Sequence, residues 1–238
     1  MDTLPYVEIA PTIPATGTMI CLHGLGADGY NLSDITGQLN LPAKLGIRYI
    51  FPHAPVRPIT LNNGYPMRGW YDILGLDKHS IEDEQGIYAS EQAIQKLIRQ
   101  EENRGIPSHR IVLAGFSQGG ALALYTALRY PKPLRGVVAL SSYLPIAPTL
   151  ATTIHPENKA LPIFMAHGTE DLLVPYDFGQ YAREHLEKLH YTVSWNAYPM
   201  EHSICNTEIQ DLSLWLQNIY ENDKREIFCG PAHSPQTI

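Results

Sequence analysis

Cysteine is scarce in this 238-residue chain: Cys21, Cys205 and Cys229 are the only three. Their number is odd and no C-x-x-C occurs, which argues against a disulfide scaffold and for reduced thiols used as small buried apolar groups. No window approaches about 18 uninterrupted apolar residues, so no stable membrane insertion is expected. The start, Met1 to Thr16, has neither a basic segment nor a long apolar core, so no signal peptide is read and a cytoplasmic location is the default. Lys and Arg form no run and the net charge is −7, which makes nucleic acid a poor candidate partner. There is no H-E-x-x-H and no paired Cys/His spacing, so no metal site is expected. Gly24–Gly29 lacks the Lys-Ser/Thr of a P-loop and the G-x-G-x-x-G spacing of a dinucleotide fold, and no cofactor is expected.

What the chain has is apolar patterning. Hydrophobic residues make up 44% of it, enough for a substantial core. Short β-like runs alternate with longer helical ones. Thr18–Leu22, Arg48–Phe51, Arg110–Ala114, Gly136–Leu140, Pro162–Ala166 and Val193–Tyr198 read as strands. Several are apolar on nearly every residue, as parallel strands covered on both faces should be. Three helical stripes are readable. Ile87, Ile94, Leu97 and Ile98 form one, closed by Gly105 and Pro107. Phe178, Tyr181, Ala182, His185, Leu186 and Leu189 form the second, and Leu212, Trp215, Leu216 and Ile219 the third. The alternation predicts a single α/β domain over residues 1–221 with a mainly parallel sheet and helices on both faces. Residues 222–238 are polar, lack periodicity, and read as a flexible tail. Two long connections, Pro52–Leu76 and Ser141–Leu161, interrupt the rhythm, as functional loops often do.

The chemistry is written in Gly115-Phe116-Ser117-Gln118-Gly119-Gly120. An apolar run precedes it and a helical period follows, so Ser117 stands at a strand-to-helix turn with glycine two residues to either side. A Cβ at either glycine would crowd such a turn. The arrangement exposes a hydroxyl at the positive end of a helix, where an oxyanion is stabilised. An ordinary glycine-rich turn shares this pattern, so a nucleophile needs its partners. These should follow in the order Ser, acid, His. Asp171, in His167-Gly168-Thr169-Glu170-Asp171 just past a strand, is the candidate acid. Glu170 competes, and Asp177 sits where it would cap the next helix. Of ten histidines, His202 alone follows the acid at a strand end, and it is the candidate base. The backbone N–H groups of Gln118 and Leu25 are the candidate oxyanion donors. His23 reads as a structural side chain holding the Leu25 loop, against a rival reading as ligand or base.

These segments together resemble the acyl-protein thioesterase and small carboxylesterase family of the α/β-hydrolase fold. The likeness runs from about Thr18 to Leu216. It is carried by Leu22-His23-Gly24-Leu25-Gly26-Ala27-Asp28, Pro52-His53-Ala54-Pro55, Trp70-Tyr71-Asp72, Gly115 to Gly120, His167-Gly168 through Asp171 to Val174-Pro175, and His202-Ser203 with Cys205. The resemblance implies hydrolysis of fatty-acyl esters and thioesters: deacylation of S-acylated proteins, lysophospholipid cleavage, or turnover of short aryl esters. It implies the same three residues, Ser117, Asp171 and His202, as the triad. An acyl chain needs an apolar groove, and Trp70, Ile73, Leu74, Leu76, Leu172 and Leu173, with Leu25, lie in the loops expected around Ser117. An apolar mouth to that groove is a surface that a second copy would cover, giving a homodimer. A general small-ester carboxylesterase shares the mechanism. A non-catalytic binder on a hydrolase scaffold is the competing class.

Overall fold

The computed structural model describes residues 3–75 and 81–222. Leu76, expected in the groove, and the 223–238 segment lie outside them. Six strands are nearly those legible from the apolar runs: β2 (Gly17–Leu22), β3 (Ile47–Pro52), β6 (Ile111–Phe116), β7 (Gly136–Leu140), β8 (Ile163–Gly168) and β9 (Val193–Tyr198). A seventh, β1 (Tyr6–Ile9), adds antiparallel to β3 at one edge, and the sheet order is β1-β3-β2-β6-β7-β8-β9. The pairings from β3 through β9 are parallel. A separate antiparallel ribbon, β4 (Val56–Ile59) with β5 (Tyr65–Arg68), occupies part of the first long connection.

Strand period two explains the two cores. Ile20 and Leu22 of β2, with Leu113 of β6, point into one apolar cluster, while Met19, Cys21 and Val112 point into the other. The first core is covered by α3 (Glu84–Asn103), α4 (Gln118–Arg129) and α6 (Tyr176–Lys188), the second by α2 (Ile35–Leu39) and α7 (Asn206–Glu221). Two further short helices are α1 (Gly29–Ser33) and α5 (Ala147–Thr153). The stripe Ile87, Ile94, Leu97 and Ile98 is buried on α3 as its spacing predicts. That helix starts at Asp83, whose side chain accepts the Gly86 N–H, and it gives way to Gly105 at φ 94°.

Helix α4 is buried continuously from Gln118 to Leu128. It is the central packing unit of its face, and truncating Leu122 or Leu124 to alanine would cost about 2–5 kcal/mol. This matters for chemistry because the N-terminus of α4 carries Ser117. Parallel strands put all their carboxyl ends on one rim, so the loops after β2, β6, β8 and β9 converge there.

Candidate active site

Ser117 adopts φ 55°, ψ −123°, a conformation that L-residues rarely take, between β6 and α4. Close packing enforces the glycines around it. A Cβ at Gly119 would land on the Leu22 carbonyl, and one at Gly115 on the Gly119 backbone. The turn therefore lies tight against the end of β2, next to the Gly24–Gly26 loop. The N–H of Ser117 is bonded to Leu140 O at 2.8 Å, which ties the turn to β7.

His202 stands in the short loop between β9 and α7. Its Nδ1–H donates to Asp171 Oδ2 at 2.7 Å, leaving Nε2 as the free basic nitrogen. Its ring packs at 4.7 Å against Phe116, the residue before Ser117. Asp171 is 4% exposed. Its Oδ1 accepts the N–H groups of Leu173 and Val174, both at 2.9 Å, so the carboxylate is oriented by its own loop. Glu170, the competing acid, points to solvent. Asp177 is exposed in the first turn of α6, whose cap is Pro175 without a side-chain bond; there its charge suits the helix dipole.

The two residues that carry the candidate oxyanion donors line the same cavity. Gln118 opens α4, so its N–H has no intrahelical acceptor. Leu25 lies between Gly24 and Gly26, and Gly26, at φ 78°, donates to Arg68 O at 2.8 Å. Among the described residues neither the Leu25 nor the Gln118 N–H has a hydrogen-bond acceptor. His23 is engaged at both nitrogens: Nδ1–H donates to Gly24 O at 2.8 Å and Nε2 accepts the Ala54 N–H at 3.0 Å. Burial lowers its pKa and keeps it neutral. Both bonds tie it to the Gly24 and Ala54 backbone, which suits a side chain that holds this loop.

Ser117, Gln118, Leu25 and His202 all line one cavity of about 830 Å³, within the ordinary range for ligand sites. Ile73, Leu74 and Leu173 line it too, as expected for an apolar groove. Two expected groove residues do not. Trp70 is fully buried in the core, with its indole N–H donating to His23 O at 2.8 Å. A large ring with one polar handle satisfied that handle inward, and Trp70 became a prop beneath the Gly24 loop. Leu172 is 90% exposed and does not line the cavity; the Asp171 side chain draws the Leu173 and Val174 N–H groups inward past it.

Other wall residues were not singled out in the sequence. Phe178 and Tyr181 were assigned to the buried stripe of α6, yet both face the cavity. Tyr71 and Tyr143 meet there, hydroxyl to hydroxyl, at 2.6 Å. Glu82 adds a carboxylate that accepts the Ile146 N–H at 2.9 Å; burial raises its pKa. The Trp70-Tyr71-Asp72 motif was the available sign for Tyr71, with its neighbour wrongly preferred. Among the described residues, no group of three or more His, Cys, Asp or Glu is placed to hold a metal ion.

Comparison with known proteins identifies the family and the fold. The family description Phospholipase/Carboxylesterase matches residues 6–220. The chain belongs to the phospholipase/carboxylesterase family. Like its relatives, this family member has the α/β-hydrolase fold and is a hydrolase of acyl esters. It is 41% identical to acyl-protein thioesterase 1 of Mycosarcoma maydis, over 92% of this chain and 98% of that one. Among solved structures, Arabidopsis thaliana SOBER1 superposes with a TM-score of 0.81 at 33% identity, covering 85% of this chain and 98% of SOBER1. Zea mays acyl-protein thioesterase 2 gives 0.82 at 29% identity, covering 91% and 99%. Among the described residues no helix of this phospholipase/carboxylesterase is long and apolar enough to cross a membrane.

Proposed function

We propose that this chain hydrolyses thioesters and esters of long acyl chains, S-acylated proteins among them, by acyl transfer through Ser117. The observation that carries the reading is the convergence of three parts. A serine in a strained turn and a histidine share one apolar cavity, and the histidine's far nitrogen is bound to a buried carboxylate. As Ser117 Oγ attacks the acyl carbon, its proton passes to His202 Nε2. The oxyanion is held by the N–H groups of Leu25 and Gln118. Collapse breaks the C–S or C–O bond, and His202 returns the proton to the leaving group. Water then repeats the sequence on the acyl-enzyme, releasing the fatty acid and restoring Ser117. Asp171 keeps Nδ1 protonated, so that Nε2 remains the base.

The relatives named acyl-protein thioesterase support a thioester substrate, and the size and apolar lining of the cavity support a long chain. Each buried methylene contributes about 0.8 kcal/mol, or up to roughly fourfold in kcat/KM. A fluorophosphonate probe tests the chemistry: it should label the folded chain and fail to label Ser117→Ala. Unchanged labelling of that variant would refute the nucleophile. A series of p-nitrophenyl esters tests the groove, with kcat/KM expected to climb with chain length until the cavity is filled. A profile highest at acetate would favour the small-ester carboxylesterase instead. We further place the enzyme in the cytoplasm, as a homodimer covering the exposed Leu61, Leu74 and Ile81 at the cavity mouth. Cell fractionation and sedimentation at micromolar concentration test these two points, and a membrane-pelleted or monomeric protein would overturn them.

A further inference from the structure

Asp171 has a second histidine beside it. His167 is the penultimate residue of β8, four residues before the acid, and is 1% exposed. Its Nε2 lies 2.8 Å from Val174 O and 3.4 Å from Asp171 Oδ2, the same oxygen that receives His202. A carbonyl only accepts, so Nε2 carries the proton and Nδ1 carries the lone pair. Among the described residues that Nδ1 has no hydrogen-bond partner. It faces Gly179 of α6, where a Cβ would overlap it. Tyr176 and Trp195 flank the ring at 6.0 and 6.4 Å. The titratable groups around it are therefore Asp171, His202 and Tyr176. Burial lowers the pKa of His167 and holds it neutral.

We infer that His167 is a positioning residue for the acid–base pair. Its Nε2–H fixes the 171–174 loop through Val174 O, and it shares Asp171 Oδ2 with His202, so that the carboxylate keeps its aim at the His202 ring. The loop's own bonds to Asp171 Oδ1 orient the carboxylate within the loop, and His167 orients the loop on the sheet. Helix α6 belongs to the device, because the absence of a side chain at Gly179 gives the ring its seat. The inference rests on the proposed roles of Ser117, Asp171 and His202.

Three substitutions test it: His167→Phe, His167→Gln and Gly179→Ala. Phenylalanine keeps a ring and loses the donor. Glutamine places its amide nitrogen near the former Nε2 and restores the donor. Alanine at 179 improves helix propensity but pushes on the imidazole. For His167→Phe and Gly179→Ala, kcat should fall about 10- to 100-fold with KM within about twofold, since a displaced catalytic group costs rate and not binding. His167→Gln should recover kcat to within about threefold of the parent. A role in packing alone would lower the melting temperature of both His167 variants while kcat stays parental in both, and that result overturns the inference. Should His167→Phe not fold, Gly179→Ala and His167→Gln decide: parental kcat in the first, or a tenfold-reduced kcat in the second, is equally fatal. Fluorophosphonate titration of the parent separates the two levels. A parent that is not labelled removes the triad itself, whereas a labelled parent with indifferent variants removes only the role of His167.

Discussion

Gln118 clamps the backbone of Trp70 through its side chain: Oε1 accepts the Trp70 N–H at 2.9 Å, while Nε2 donates to the next carbonyl, Tyr71 O, at 2.8 Å. The residue after the nucleophile thus works twice. Its main-chain N–H is the proposed oxyanion donor, and its buried amide fastens the segment that leads into the cavity wall at Tyr71 and Ile73.

Gln118→Ala therefore leaves the main-chain donor in place and breaks the clamp. It should destabilise the fold by about 1–3 kcal/mol, because a buried N–H and a buried carbonyl lose their partners. It should also lower kcat/KM on long acyl substrates more than on acetate, since the displaced segment forms the groove wall. Urea melts and a paired comparison of acetyl and palmitoyl esters read both effects.

Ser117→Gly should produce an inactive protein that is more stable than the parent. A serine at φ 55°, ψ −123° carries backbone strain of about 1–3 kcal/mol, which glycine does not share. Part of that gain is lost to the greater freedom of glycine in the unfolded chain, leaving on the order of 1 kcal/mol. Thermal unfolding of Ser117→Gly beside Ser117→Ala, which keeps the Cβ and the strain, isolates the contribution of the turn.

Glu208 makes stability fall as pH rises. It is fully buried at the start of α7, where Oε2 accepts the Cys205 N–H at 3.3 Å and Oε1 has no partner among the described residues. Burial pushes its pKa from 4.5 up to about 7. Between these values the native state holds a proton that the unfolded chain has released, so stability declines through that window and levels off above it. Glu208→Gln should be more stable than the parent at pH 8, by on the order of 2–3 kcal/mol, with the difference vanishing toward pH 4. His23 and His167 act with the opposite sense. Their lowered pKa means that the unfolded chain takes up protons first, so stability drops as pH falls below 6.5. Urea titrations across pH 4–9 would show these two opposed slopes superimposed, and Glu208→Gln should remove the decline that runs from pH 4.5 to about 7.

Trp70→Phe should leave the acyl-length profile unchanged, because Trp70 does not line the cavity. It removes the indole N–H from His23 O and leaves a buried carbonyl unsatisfied, a loss of about 1–3 kcal/mol. A chain-length optimum that moved in this variant would return Trp70 to the groove.

The sheet was legible because fully buried parallel strands write themselves as unbroken apolar runs, and β2, β6 and β7 are of that kind. β1 was not. Tyr6-Val7-Glu8-Ile9 is short, sits at an edge between Pro5 and Pro11, and forms only by pairing back on β3. The β4–β5 ribbon was hidden by its prolines, which face each other as Pro58 and Pro66 where no ladder bond is needed from either. In the proposed site, the candidates Ser117, Asp171 and His202 were singled out because strand-end loops are ordered along the chain. The groove could not, since whether an apolar residue faces core or cavity depends on which way its backbone turns. Trp70 and Tyr71 are adjacent and face opposite ways, and Phe178 obeys a helical period that serves the cavity as well as the core.

The loops carrying Asp171 and His202 hang from neighbouring strands whose ladder runs in step up to Gly168 opposite Tyr198. The interval between acid and base is thereby handed down from hydrogen-bond spacing within the sheet. Part of the cavity wall comes from residues 61–75 and 143–148, which hang from other parts of the rim. Appetite for different chain lengths can drift by exchanging those walls, while the proton-handling pair stays clamped to the frame.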